Sequence, residues 1–101
     1  MLHRSTITYE QLAKTIDHSL LKPEMTRAEV IAGCRLARQY NVASVCVRPC
    51  DVTLAAEILQ GSSVAVGTVI GFPLGANATE TKSNEARLAV EQGAAEVDMV
   101  V

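Results

Sequence analysis

The sequence is poor in aromatic side chains and contains no tryptophan. Aromatic residues make up 3% of its 101 residues, so it offers no platform on which nucleic-acid bases could stack. Its formal net charge of -2 provides no basic surface for a polyanion. No apolar run approaches the roughly 20 residues that cross a bilayer, and no apolar signal core follows the first residues. These absences argue against nucleic-acid and membrane partners, and we expect a cytoplasmic protein.

Cysteine is also scarce, and its arrangement suits neither a disulfide scaffold nor a zinc site. Cys34, Cys46 and Cys50 are odd in number and form no Cys-x-x-Cys pair. Neither histidine, His3 or His18, lies near them in the sequence. Since zinc sites need closely spaced cysteine and histidine ligands, we expect reduced thiols and no metal.

What the sequence does contain is a regular alternation of apolar strands and amphipathic helices. With 49% hydrophobic and 20% charged residues, it suits one domain with a modest core. Capping boxes at Thr8 and Thr26 begin two helices, and Asn41 is placed to end the second. A further helix begins near Pro49 and Asp51, and another is capped by Asn77 or Thr79. Strands are predicted at Thr15–Leu21, Ala43–Val47 and Val64–Ile70, and after Gly93.

This order predicts an α/β fold with a parallel sheet. Strands that alternate with helices imply right-handed crossovers, and each helix has a single apolar stripe, so the helices should cover one face of the sheet. That favours a barrel over a doubly wound sheet. A complete (β/α)8 TIM barrel needs roughly 200 or more residues. We therefore predict a partial barrel of four parallel strands with three covering helices and a short N-terminal helix. Residues 1–101 would form the N-terminal half of one domain, with the C-terminal half absent from this chain.

A half-barrel leaves one sheet face and an edge strand without partners. Unpaired backbone groups along an exposed edge favour association with another chain. We therefore expect a homo-oligomer, or pairing with a missing half-barrel.

The first candidate for chemistry is Asp98, which lies in the short apolar strand that follows Gly93. A buried carboxylate is costly unless it is paired, solvated or neutralised. Polar residues near the C-terminal ends of parallel barrel strands are candidate catalytic groups. Alternatively, Asp98 is tied to a neighbouring basic residue or a backbone amide.

Strand parity adds further candidates, because alternate side chains share a face. If the more polar face of each strand points into the barrel, one group gathers toward a common mouth: Asp17, Ser19, Cys46, Thr68 and Asp98. Asp17 could instead bond to backbone amides, Cys46 could be a small hydrophobe, and Thr68 an ordinary strand residue. His18 should face the helices.

Three basic residues lie near the same region. Arg48 could bind phosphate or pair with Asp17 or Asp98, and the sequence does not separate these alternatives. Lys22 follows the first strand and is interpreted as a solvated amine. Lys82 is interpreted as a surface residue that could pair with Glu85.

Four segments of the sequence closely resemble the deoxyribose-phosphate aldolase family. They are Ile16–Pro23 (IDHSLLKP), Ser44–Val47 (SVCV), Thr68–Gly75 (TVIGFPLG) and Gly93–Val100 (GAAEVDMV). Lys82 and Glu85 also stand where that family usually has a Lys and a Glu. The four segments occur in order and with compatible spacing. The chain departs from the family at Ser19, where Thr is common, and at Arg48, where many members have Asn.

The resemblance implies a class I aldolase that uses no metal or cofactor. Such an enzyme would cleave 2-deoxy-D-ribose 5-phosphate to D-glyceraldehyde 3-phosphate and acetaldehyde through a lysine Schiff base. Asp98 matches the family's proton-relay carboxylate, and Asp17, Ser19 and Cys46 match positions that bind substrate. Both catalytic lysines would lie beyond Val101, so we expect the chain alone to be inactive. The alternative is a non-catalytic half-barrel module that associates with itself.

Overall fold

The structure, a computed structural model, describes residues 6–101 and contains four parallel strands connected by helices. The strands are β1 (Asp17–Leu20), β2 (Ser44–Val47), β3 (Ala65–Ile70) and β4 (Glu96–Met99), in the spatial order β1-β2-β3-β4. The helices are α1 (Tyr9–Ala13), α2 (Arg27–Tyr40), α3 (Val52–Leu59) and α4 (Thr79–Glu91), with a 3-10 turn at Pro49–Asp51 before α3. The predicted parallel α/β arrangement is confirmed. The first strand is shorter than predicted, because Thr15 N donates to Leu12 O in a turn. His3 lies outside the described residues.

The helices begin and end largely where the sequence predicts. Thr8 and Thr26 form complete capping boxes with Gln11 and Glu29, and Asn41 ends α2 in the left-handed conformation with φ 52°. The predicted cap of α4 by Asn77 or Thr79 is wrong. Ala78 occupies the N-cap position, and its extended backbone places the helix start between the two polar side chains. In residues 6–101 none of the helices combines the length and apolar character that a membrane span requires.

The hydrophobic core lies between one face of the sheet and the helices. On the sheet side it contains Leu20, Val45, Val47, Val66 and Ile70, all buried. On the helix side it contains Val30, Cys34 and Ala37 of α2, Val52, Ala55 and Leu59 of α3, and Ala89 of α4. The helices therefore cover a single face, which is the arrangement of a barrel wall.

Thr68 lies on this covered face, so its predicted place among the polar group of the opposite face is wrong. Its neighbours at alternate positions, Val66 and Ile70, belong to the core, and strand geometry carries Thr68 with them. The fully buried hydroxyl donates a hydrogen bond of 2.6 Å to the carbonyl oxygen of Val47. Because its polar atom is paired, Thr68 can be buried at little cost.

Lys14 links the segments at the N-terminal ends of the strands. Its ammonium group, Nζ, donates to the side chain of Asn41 at 3.1 Å and to the carbonyl oxygen of Val42 at 3.1 Å. It also donates to the hydroxyl and carbonyl oxygens of Ser63, at 2.9 and 3.3 Å. One lysine thus ties the end of α1 to the segments that lead into β2 and β3.

Candidate active site

The face of the sheet opposite the helices, which we call the open face, carries the polar strand residues. The polar residues of this face are Asp17, Ser19, Ser44, Cys46, Glu96 and Asp98, and Gly67 lies among them. Ser19, Cys46, Gly67 and Glu96 form one row across the four strands, whereas Asp98 pairs with Val69 one row nearer the C-terminal edge. All four predicted site residues, Asp17, Ser19, Cys46 and Asp98, therefore share one face.

Asp17, Cys46 and Asp98 are brought together although they come from three different strands. Their carboxylate oxygens and the Cys46 sulfur all lie within 4.8 Å of one another. Asp17 and Asp98 are exposed, whereas Cys46 is only 5% exposed. A buried thiol thus forms the floor of a small site, and two solvated carboxylates form its sides. The catalytic and substrate-binding roles of these residues stay predictions.

The Asp17 carboxylate is held by a neighbouring strand. The hydroxyl of Ser44 donates to Asp17 Oδ1 at 2.7 Å, and Ser44 is itself buried. The sequence left open that Asp17 bonds to backbone amides. In the structure its partner is instead the hydroxyl group of Ser44. Because Ser44 lies beside Asp17 in the register, this bond fixes the carboxylate on the open face.

Cys46 is a neutral thiol at physiological pH. Burial raises its pKa from the ordinary 9.0 to about 11, and the negative charges of Asp17, Asp98 and Glu96 act in the same direction. Since the thiolate is the nucleophilic form of cysteine, this environment suppresses nucleophilic attack. The interpretation of Cys46 as a small, unreactive side chain fits this electrostatic setting.

Asp98 is solvated rather than tied to a neighbouring group. In the part of the chain that the structure describes, its carboxylate accepts no hydrogen bond and forms no ion pair, and the whole of β4 is exposed. The alternatives of a basic partner or a backbone amide are therefore not realised in residues 6–101. A carboxylate with free oxygens beside a neutral thiol can accept and return protons.

A wide depression of about 750 Å³ opens at the C-terminal ends of β1, β2 and β3. Ser19 lines it from the open face, separately from the three clustered residues, and Lys22 and Phe72 line it from the loops. The sequence predicts that the polar strand residues gather toward one mouth, and of the four predicted site residues only Ser19 lines this depression.

Arg48 also lines the depression, but its guanidinium is already engaged. Its Nε donates to Asp51 Oδ2 at 2.7 Å, and another guanidinium nitrogen donates to the carbonyl oxygen of Pro23 at 2.9 Å. The predicted alternatives of pairing with Asp17 or Asp98 are wrong, because Arg48 turns toward the 3-10 turn that follows its own strand. The Asp51 hydrogen bond also raises the pKa of Arg48.

The loop after β3 contains an arrangement that the sequence argument missed. Gly71 has φ 65°, and its backbone N–H donates to Glu85 Oε1 of α4 at 2.7 Å. A Cβ atom at Gly71 would lie 3.1 Å from Cε of Lys82, so the lysine stem packs against the glycine. The predicted Lys82–Glu85 ion pair is not found in residues 6–101. Instead, both residues contact the loop at Gly71. Residues three apart lie on the same side of a helix, so their spacing could have indicated this shared contact.

His18 lies on the covered face, as expected. It is half-buried and lines a mainly apolar cavity of about 230 Å³ with Ile16, Leu36 and Tyr40. His18 therefore lies on the opposite face of the sheet from the candidate site and takes no part in it.

Known proteins resemble this chain over about 90% of its length. No family model matches the chain. A deoxyribose-phosphate aldolase from Geobacillus sp. (strain WCH70) is 58% identical over 90 residues, which cover 89% of this chain and 40% of that protein. The enzyme of the same name from Clostridium perfringens (strain SM101 / Type A) is 55% identical over 92 residues, covering 91% of this chain and 41% of that protein.

A solved structure shows the same relation in three dimensions. The tetrameric deoxyribose phosphate aldolase from Aeropyrum pernix superposes with a TM-score of 0.85 at 34% identity, covering 91% of this chain and 39% of that one. The four strands and their helices are thus part of a TIM barrel. The chain spans about 40% of the length of the curated relatives it matches. Over about 90% of its own length, the chain is similar in sequence and in fold to part of the deoxyribose-phosphate aldolases.

Proposed function

We propose that this chain supplies one wall of a class I aldolase that cleaves 2-deoxy-D-ribose 5-phosphate to D-glyceraldehyde 3-phosphate and acetaldehyde. Its relatives at 58% and 55% identity carry the name of that activity. The observation that supports it most directly is the convergence of Asp17, Cys46 and Asp98 on the open face. The three free cysteines fit a reducing compartment such as the cytoplasm.

Each residue of the site has a role that fits its environment. Asp98 is solvated and unpaired, so it would relay protons through water to the reacting carbons. Asp17, fixed by Ser44, would accept hydrogen bonds from substrate hydroxyl groups. Cys46 would form a neutral floor, and the exposed Ser19 hydroxyl would contact substrate at the mouth.

The lysine that forms the imine is proposed to lie outside this chain. An imine-forming amine must be deprotonated and must reach the substrate carbonyl. Lys14 binds four acceptors at the opposite edge of the sheet, Lys22 is exposed at the mouth, and the stem of Lys82 packs against Gly71. None of the three lysines is positioned on the open face. We therefore propose that residues 1–101 are the N-terminal half of one barrel domain and are inactive alone.

A second candidate function is a non-catalytic half-barrel that associates with itself. It is favoured by the edge strands, because the large apolar side chains of Ile16, Val97 and Met99 are each at least 40% exposed there. The relative from Aeropyrum pernix is described as tetrameric. For this chain we propose either a homo-oligomer or pairing with a complementary half-barrel.

The test joins this chain to the remaining part of the Geobacillus relative, so that a complete barrel is formed. We expect the 101-residue chain alone to release no acetaldehyde from 2-deoxy-D-ribose 5-phosphate and to form no borohydride-stable adduct with it. The fusion should do both. Asp98→Asn in the fusion should lower kcat roughly 100-fold or more, the usual contribution of a positioned acid–base group.

Glu96→Gln is the matched control, since Glu96 lies on the same strand and the same face. It should leave kcat within a few-fold of the parent fusion. A borohydride-stable adduct on Lys22 or Lys82 of the isolated chain would overturn the proposed absence of an imine-forming lysine. Full activity of the Asp98→Asn fusion would overturn the role of Asp98.

A further inference from the structure

We propose that Asp17, Cys46 and Asp98 form a binding site for one thiophilic divalent cation, with zinc as the representative ion. One thiolate and two carboxylates are all ligand types that zinc accepts. The three ligand atoms lie within 4.8 Å of one another and come from β1, β2 and β4. Three protein ligands leave a fourth tetrahedral position for water. Binding of the ion does not rest on the proposed aldolase function, whereas its inhibitory effect in a complete barrel does.

The buried thiol distinguishes this site from an ordinary pair of surface carboxylates. Cys46 is 5% exposed and its thiol makes no hydrogen bond in residues 6–101, yet its sulfur faces two carboxylates. A soft sulfur ligand selects thiophilic metals over magnesium or calcium, which prefer oxygen alone. The two negative charges that disfavour a thiolate would be offset by a bound dication.

The ligands have room to close on an ion. In a tetrahedral zinc site the oxygen and sulfur ligands are roughly 3.5 Å apart, so the side chains must approach by about an ångström. Asp98 is unpaired and can rotate toward the sulfur. Asp17 uses Oδ1 to accept from Ser44, which leaves Oδ2 for the ion and orients the carboxylate, as outer hydrogen bonds do in metal sites. Gly67, the register partner of Cys46, adds no side chain beside the thiol.

Binding is a simple exchange at sulfur. The cation forms a bond to Cys46 Sγ, the thiol proton passes to solvent, and no group changes oxidation state. The bound ion would occupy the same part of the open face as substrate in the proposed aldolase. The cation and the sugar phosphate would therefore exclude each other, which makes the site inhibitory in a complete barrel.

The test uses the full 101-residue chain in a non-thiol reductant, with Co²⁺ as the spectroscopic probe. We expect one Co²⁺ per chain, a near-ultraviolet thiolate-to-metal absorption band, and loss of that band when Zn²⁺ is added. Cys46→Ser should abolish the band. Asp98→Asn should weaken Co²⁺ binding about tenfold or more, a loss that even outer-shell changes cause in metal sites.

Cys50→Ser is the matched control, because Cys50 is exposed and lies outside the cluster. It should leave the band and the affinity unchanged. Asp98→Asn keeps the measurement meaningful even where Cys46→Ser disturbs folding, since Asp98 is on an exposed edge strand. The proposal is overturned if no thiolate band forms, if the band depends on Cys50, or if Asp98→Asn binds Co²⁺ as tightly as the parent chain. Because these readouts measure binding and not catalysis, they succeed or fail separately from the fusion assay.

Discussion

The two central strands and the two edge strands of the sheet have very different environments. Every residue of β2 is buried, and so are five of the six in β3, whereas β1 buries only Leu20 and β4 buries none. Val47 and Val97 lie in one register row on the covered face, yet Val47 is 0% exposed and Val97 is 40% exposed. For these two valines, burial therefore depends on whether a strand lies on both sides.

The same difference shapes the candidate site. The central strand β2 contributes a buried thiol, and the edge strands β1 and β4 contribute exposed carboxylates. A carboxylate at the position of Cys46 would be costly, because a buried charge needs a partner. On an edge strand the same carboxylate remains in water. The polar face can thus hold two acids near a thiol without burying either negative charge.

The largest predicted effect comes from truncating one residue in each class of strand. Ile70 and Met99 are register partners on the covered face, but Ile70 is 0% exposed and Met99 is 45% exposed. Ile70→Ala should lower the free energy of unfolding by about 2 to 5 kcal/mol, because it leaves a cavity in the core. Met99→Ala should cost less than about 1 kcal/mol, since much of that side chain is already in water. Urea unfolding followed by circular dichroism measures both.

Equal losses for the two variants would contradict the comparison between central and edge strands. If the loss for Met99→Ala rises with protein concentration, β4 is covered by another copy of the chain. That result would show that association with another copy supplies the neighbour that β4 lacks within one chain.

The sequence predicts the fold well because its signals are local. Capping boxes at Thr8 and Thr26 and the alternation of strands and helices each depend on a few neighbouring residues. Parity likewise places Asp17, Cys46 and Asp98 on one face. It fails for Thr68, because a hydroxyl counts as polar in a pattern but can be buried once it bonds to Val47 O.

The closeness of the three clustered residues was not predictable in the same way. Asp17, Cys46 and Asp98 belong to three different register rows, so pairing within one row does not predict that their side chains meet. Their closeness depends on how three strands are placed in the sheet and leaves no local pattern in the sequence. For the same reason, a search for closely spaced cysteine and histidine residues could not find a cluster drawn from three strands.

A second, smaller effect should appear at high pH, because the Cys46 thiol lies on a central strand. Its pKa is raised from 9.0 to about 11 by burial and by nearby carboxylates. Between these two values the folded protein holds a proton that the unfolded chain has lost. The free energy of unfolding should therefore fall as pH rises from 9 to 11, by roughly 1 to 3 kcal/mol, and this contribution should be constant below pH 9.

The measurement compares urea unfolding of the parent chain with that of Cys46→Ala across this pH range. Other groups also titrate there, so the difference between the two proteins isolates the thiol. Cys50→Ser should follow the parent curve, because Cys50 is exposed. If the parent and Cys46→Ala lose stability in parallel, the thiol does not have the raised pKa.

The smallest predicted change in the free energy of unfolding compares two lysines. Lys14 bonds to the segments that lead into the central strands, and Lys22 follows the edge strand β1. Lys14 donates to Val42 O and Ser63 O, in the segments that lead into β2 and β3. Lys22 follows β1, and its side-chain ammonium donates no hydrogen bond in the part of the chain that the structure describes. Lys14→Met should lower the free energy of unfolding by about 1 kcal/mol, since water replaces only part of the lost bonding. Lys22→Met should change it by less than about 0.5 kcal/mol. Matched urea curves separate the two, and a larger loss for Lys22→Met would mean that the C-terminal mouth, not the N-terminal edge, holds the central strands in register.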